Sequence, residues 1–131
     1  DLLEDNLNTT VSTTSTSYVA TGMTITITPA STSSKFLLTL LGGRWGNTND
    51  LKISYCTFYV DGSEVADAGP YEQKTENHNG KGYAGHSMAC LHSPATVSAV
   101  TYTVYYKASA NTTYFNWSSD RTVFTVMELS S

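Results

Sequence analysis

The chain has 131 residues and a mass of 14.2 kDa, which suits one domain that buries about two-thirds of its unfolded surface on folding. Its hydrophobic fraction, 40%, is ordinary, but only 14% of residues are charged, below the usual ~25%, and Ser and Thr take up the difference. A net charge of −4 with seven unclustered basic residues excludes the phosphate-neutralising stripe of a nucleic-acid binder.

The chain opens with Asp1-Leu2-Leu3-Glu4-Asp5-Asn6-Leu7 and then a Ser/Thr tract. Residues 1–14 read as a linker or shaft remnant, with Leu2, Leu3 and Leu7 able to form a brief helical or coiled-coil turn. A start at Asp1 without Met suggests a fragment or a processed product. No signal peptide is present, and no apolar run approaches the ~18 residues of a membrane span, so membrane insertion is not expected.

From residue 15 onward, strands recur. Residues 17–28 pass through Gly22 into Met23-Thr24-Ile25-Thr26-Ile27-Thr28, where apolar and hydroxyl side chains alternate and so face opposite sides of a sheet. Residues 35–41 are apolar on both faces, the pattern of a central strand, and Gly42-Gly43 breaks the run. Residues 51–60 form a long strand, Asp61-Gly62 is a hairpin signal, and residues 63–66 return. Residues 67–82 lack periodicity and read as a long loop. Further strands cover 83–91, 97–107, 112–117 and 122–129, with turns at Ser109-Ala110-Asn111 and Ser118-Ser119-Asp120. About eight strands, short connections and no convincing helix predict an all-β, antiparallel β-sandwich of jelly-roll type.

No catalytic constellation stands out, and no cofactor is expected. Gly80-Lys81-Gly82 lacks the strand-to-helix setting of a phosphate loop. Asp50, Asp61, Glu64, Asp67, Glu72 and Glu76 supply acids, but a glycosidase needs two of them at a set separation. His86, Met88, Cys90 and His92 share one face of a strand. Their spacing of ~6.8 Å would hold a metal only with ligands from elsewhere, so packing in the core is the expectation and no metal site is assigned. Cys56 and Cys90 read as buried thiols, with a disulfide as the alternative. Asn8-Thr9-Thr10, Asn111-Thr112-Thr113 and Asn116-Trp117-Ser118 match the glycosylation sequon, which chance supplies in so hydroxyl-rich a chain.

The aromatic residues are more informative. The nine Tyr and two Trp suit stacking on sugar rings with one polar atom each. Trp45 beside Asn47, Asn49 and Asp50 forms one candidate glycan platform, with anchoring of the loop as the plainer alternative. Tyr71, Glu72, His78, Asn79 and Tyr83 form a second. Tyr55, Tyr59, Tyr102, Tyr105, Tyr106 and Trp117 fall within strands and read as core or interface.

Four segments carry a resemblance. They are residues 16–29 (TSYVATGMTITITP), 33–38 (SSKFLL), 56–62 (CTFYVDG) and 86–107, from His86-Ser87-Met88 through Ser93-Pro94 to Tyr105-Tyr106-Lys107. In this order they resemble a C-terminal β-sandwich head domain of tailed-bacteriophage fibres and virion appendages, of marine and cyanophage type, over residues 15–129. The resemblance implies a homotrimer on the virion, joined to an upstream fibre shaft or other virion proteins, that adheres to a host-surface glycan or protein. The alternatives are a purely structural role in capsid decoration or a head fibre, and, more remotely, a carbohydrate-active enzyme domain.

Overall fold

The computed structural model describes residues 2–65, 72–79 and 83–129. These form β1 (Leu2–Leu7), β2 (Val11–Thr13), β3 (Val19–Ile27), β4 (Lys35–Asn47), β5 (Ile53–Val60), β6 (Ser63–Glu64), β7 (Glu72–Glu76), β8 (Ala84–His92), β9 (Val100–Ala108), β10 (Thr113–Phe115) and β11 (Thr122–Leu129), with one 3-10 turn at Trp117–Ser119. Every pairing is antiparallel, as short connections require.

Four pairings nest inside one another. β5 pairs with β7, β4 with β8, β3 with β9, and β1 with β11. This is one long folded ribbon. The ribbon is rolled so that β11 also lies against β4 and β9 against β5. The result is two sheets, ordered β1-β11-β4-β8 and β3-β9-β5-β7, which is the jelly-roll arrangement. β6 pairs beside the last residues of β5, while β10 and β2 continue the first sheet beyond the far end of β4.

Alternation explains the core. Met23, Ile25 and Ile27 of β3, Tyr102 and Val104 of β9, and Phe36, Leu38 and Leu40 of β4 are all buried. Phe58 stacks on Phe124 at 5.6 Å and Phe36 meets Tyr102 at 5.8 Å. These contacts join the two sheets, and each ring contributes roughly 1.5–3 kcal/mol through burial. Cys56 and Cys90 are buried free thiols, and burial pushes the Cys56 thiol well above its ordinary range.

The structure differs from the sequence expectation in three places. Residues 2–7 and 11–13, expected as linker, are paired strands: β1 zips along most of β11, from Leu2 against Met127 to Leu7 against Thr122, and β2 pairs with β10. Leu3 and Leu7 pack on the core, a use of the leucines that needs no helix. Residues 72–76, expected as loop, form the edge strand β7 against β5. Gly42 and Gly43 do not end β4; they form a bulge, and the strand runs on to Asn47.

That bulge depends on glycine. Gly42 and Gly43 have φ of +79° and +62°, and a Cβ on Gly43 would lie 2.0 Å from Thr122 Oγ1. Backbone strain and overpacking each cost about 1–3 kcal/mol. Gly43→Ala should therefore lower unfolding free energy by roughly 2–5 kcal/mol in denaturant titration. Gly62→Ala, at φ +83° with nothing within 4 Å, should cost only about 1 kcal/mol.

Candidate recognition site

The connections β1–β3, β4–β5, β7–β8 and β9–β11 gather at one end of the roll. Direct backbone bonds tie them: Thr48 N–H donates to Thr112 O at 3.2 Å, Leu51 N–H to Asn77 O at 2.7 Å and Ala108 N–H to Ser15 O at 2.8 Å. Beneath them lies a layer of buried amides and hydroxyls. Asn116 donates to Leu7 O and Thr9 O at 3.0 and 3.1 Å and accepts from Thr122 Oγ1 at 3.0 Å. Asn47 donates to Ala110 O at 2.8 Å and accepts from Asn49 N–H at 3.0 Å. Asn77 donates to Asn47 O at 2.6 Å, and Ser54 bonds Thr113 at 2.8 Å. A buried amide satisfied on several sides fixes the backbone around it.

Trp45 and Asn47 belong to this inner layer. Trp45 is fully buried and stacks on His86 at 4.7 Å, and His86 lies against Phe115 at 4.5 Å. The Gly42-Gly43 bulge turns the tryptophan inward, which corrects its expected place on an exposed glycan platform. Asn47, also buried, holds a loop from below. His86 Nδ1 meets Gln73 Oε1 at 3.4 Å, and burial pushes its pKa down to about 3. Trp45 Nε1, His86 Nε2 and Asn77 Oδ1 make no hydrogen bond among the described residues.

Above this layer the surface is polar and aromatic. Asn49, Asp50, His78 and Asn79 are exposed, and Asp50 Oδ1 accepts from Asn79 N–H at 2.6 Å, so the two tips meet. His78 Nε2 lies 2.9 Å from Glu76 Oε1. Leu51 stands beside them, 61% exposed and held at φ +56°. Asn79, Asn111, Asn116 and Ser118 are left-handed too, a concentration of costly backbone at one end of the molecule. Tyr83 stacks on Trp117 at 5.4 Å, and Tyr114 meets the same indole edge-on at 4.3 Å. Burial, and then Tyr114, raise the Tyr83 phenol. Arg44 and Asp120 form an exposed ion pair at 2.6 Å on the flank of this end.

Of the sequence-derived candidates, Asn49, Asp50, His78 and Asn79 therefore come together at the tips of two adjacent loops, while Tyr83 lies against Trp117. Glu72 joins neither. It sits on the outer face of the second sheet, where it accepts from the Tyr18 hydroxyl and pairs with Lys74 Nζ at 3.2 Å. Tyr71 lies outside the described residues. Leu51, Tyr114 and Trp117 were missed because strand periodicity absorbed them. The Asn116-Trp117-Ser118-Ser119-Asp120 run, dense in turn formers, was the available signal that the strand stops before Trp117. Of the mid-strand tyrosines, Tyr102 and Tyr106 are buried in the core, and burial pushes the Tyr106 phenol up to about 12. Tyr55, Tyr59 and Tyr105 lie on the second sheet's outer face, where Tyr59 and Tyr105 stack at 3.8 Å. His92 Nδ1 meets the Tyr102 hydroxyl at 2.8 Å, and His86 and Cys90 are buried on the same strand face.

No protein-family model matches the chain, and no curated protein matches it. Among solved structures, a chain of the infectious bursal disease virus particle aligns with 99% of this chain at 9% identity and a TM-score of 0.43. The Gt strain of that virus and its subviral particle each align with 99% at 10% identity and a TM-score of 0.36. The chain spans little more than a third of those chains, 36–38% of their length. Scores this low carry no argument about role, and the architecture stands on the strand order itself.

His86 gives this end a pH signature. Its folded pKa of about 3 lies below the ordinary 6.5, so the unfolded chain binds the extra proton. Stability is fully present above pH ~6.5 and falls toward pH ~3, by about 1.4 kcal/mol per unit. Denaturant midpoints measured across this range should show that slope in the wild type, and His86→Phe should remove this contribution.

Proposed function

We propose that this chain is the head domain of a virion appendage, a tail-fibre tip by preference, that forms a homotrimer and adheres to a host-surface glycan or protein through its loop end. The observation that carries this reading is the combination of four loops fastened from beneath with an outer surface of amides, a carboxylate, a histidine and a half-buried tryptophan between two tyrosines. Rigid loops with strained tips lose little entropy on binding. Aromatic faces beside short polar side chains suit a sugar, which offers apolar ring faces and hydroxyl edges. The resemblance in residues 15–129 to phage fibre-head domains supports the same reading.

Among the described acids, Glu76 is held at the loop end by His78 at 2.9 Å and Asp120 on its flank by Arg44 at 2.6 Å. Asp50 lies at the loop end, while Asp61, which accepts from Thr101 N–H at 2.8 Å, lies at the opposite end. Glu64 and Glu72 lie on the second sheet and pair with Thr57 and Lys74. Weak single sites would gain from three copies on each appendage.

Binding of the isolated domain to host cells or a glycan array tests the reading. Trp117→Ala should weaken attachment about tenfold, as expected for loss of an aromatic anchor worth ~1–2 kcal/mol, with the solution mass unchanged. Wild-type protein that binds no host surface or glycan, or a Trp117→Ala variant that binds equally well, would favour a purely structural capsid or head-fibre role.

A further inference from the structure

The two sheets differ sharply on their outer faces. The second sheet presents Thr24, Thr26, Thr101 and Thr103, with Lys107 over Tyr18 and Tyr55 at 4.5 and 4.8 Å and Glu72 paired to Lys74. Such a face is suited to water. The first sheet carries a band of large apolar side chains on its outer face as well as an apolar inner face.

Its cross-strand register makes this plain. Leu2 opposes Met127, Met127 opposes Leu37, and Leu37 opposes Leu91, so one unbroken row of large apolar side chains crosses all four strands. The next row is Glu4, Thr125, Thr39 and Ala89, and the third is Asn6, Val123, Leu41 and Ser87. Leu2, Leu41 and Leu91 are 59%, 51% and 48% exposed. Within these three rows Glu4 is the sole formal charge, and it lies 3.6 Å from Arg121 Nη2. Thr39 and Thr125 bond each other, which satisfies part of their hydrogen-bonding capacity within the face.

A contiguous row of large apolar side chains on an exposed face marks a surface that another molecule covers. In β4 and β11 the inner face covers the core, while the fold leaves the outer one bare. We propose that copies of this chain assemble through this face, with the row Leu2–Met127–Leu37–Leu91 at the centre of the contact. This rests on the homotrimer proposed above and supplies its surface. Charge selects a second copy as the occupant. A chain of net charge −4 repels itself broadly, and this strip, whose one carboxylate, Glu4, lies beside Arg121, is where two copies meet with the least opposing charge. Size agrees: four strands ~4.8 Å apart and three rows ~6.8 Å apart cover roughly 400 Å², the apolar centre of an interface of about 800 Å² per partner. Three such faces turned toward one axis along the strands would point all three loop ends the same way, leaving every recognition site free.

Light scattering of the wild type should give three times the mass of one chain at micromolar concentration. The double variant Leu41→Glu/Leu91→Glu, altered only at exposed positions, should run as a monomer with the same far-ultraviolet spectrum, while Trp117→Ala stays trimeric. An assembled double variant would overturn the surface but leave the trimer standing. A monomeric wild type would overturn both, yet leave loop-end binding to be judged by the attachment assay. Should the double variant misfold, Met127 reads the same face in wild-type protein. Its oxidation by peroxide should speed up at least severalfold on dilution to nanomolar concentration, and a rate independent of concentration would overturn the proposal.

Discussion

The bulge at Gly42-Gly43 is the constraint on which the functional end depends. β4 alone lies beside β8, β11 and β10, so its path decides how the first sheet continues past the core. Two left-handed glycines shift its register between Gly42 and Trp45. Beyond them Trp45 and Asn47 point inward and Gly46 pairs with Tyr114. The space above Gly43 is occupied by Thr122 and Asn116. That asparagine in turn secures the chain at Leu7 and Thr9. A methyl group at one position would thus disturb the register of β4, the start of β11 and the entry to β2 together.

From that point the division of labour follows. At one end the interior changes from hydrocarbon to amide and hydroxyl. A purely apolar interior would leave loop carbonyls without donors, at a cost of several kcal/mol for each buried orphan. Asn47, Asn77 and Asn116 supply those donors, and each reaches a carbonyl outside its own strand. The loops above can therefore hold left-handed residues such as Leu51 and Ser118, which surrounding structure must over-determine. The proposed recognition surface is a consequence of this support, with Trp117 half-buried between Tyr83 and Tyr114.

Much of the fold was legible in the sequence, for a definite reason. Wherever one face of a strand is buried and the other wet, as in Met23 to Thr28, period-two alternation shows directly. Eight principal strands were expected, and the jelly roll uses eight, but β1 and β7 replace β6 and β10 among them. Of the missed strands, β1 and β7 are sheet edges: Leu-Leu-Glu-Asp-Asn-Leu and Glu-Gln-Lys-Thr-Glu carry charge where an unpaired edge benefits from it, so neither shows the expected alternation. The site was half legible. Asn49, Asp50, His78, Asn79 and Tyr83 stand out as polar or aromatic residues outside regular strands. Trp45 and Trp117 exchanged roles, because the Gly-Gly pair reads equally as a break or a bulge and only the register distinguishes them. The doubly apolar pattern of residues 35–41 pointed to a central strand, which β4 is.

The loop end is held rigid from beneath by Asn47, Asn77 and Asn116. Backbone amide hydrogen exchange in the folded protein tests this rigidity most directly. The amides of Thr48, Asn49, Leu51 and Asn77, each donating to a named acceptor, should exchange at rates comparable with the flanking strands β4 and β5. Exchange of these amides near the rate of an unstructured peptide, while the strands stay protected, would contradict it.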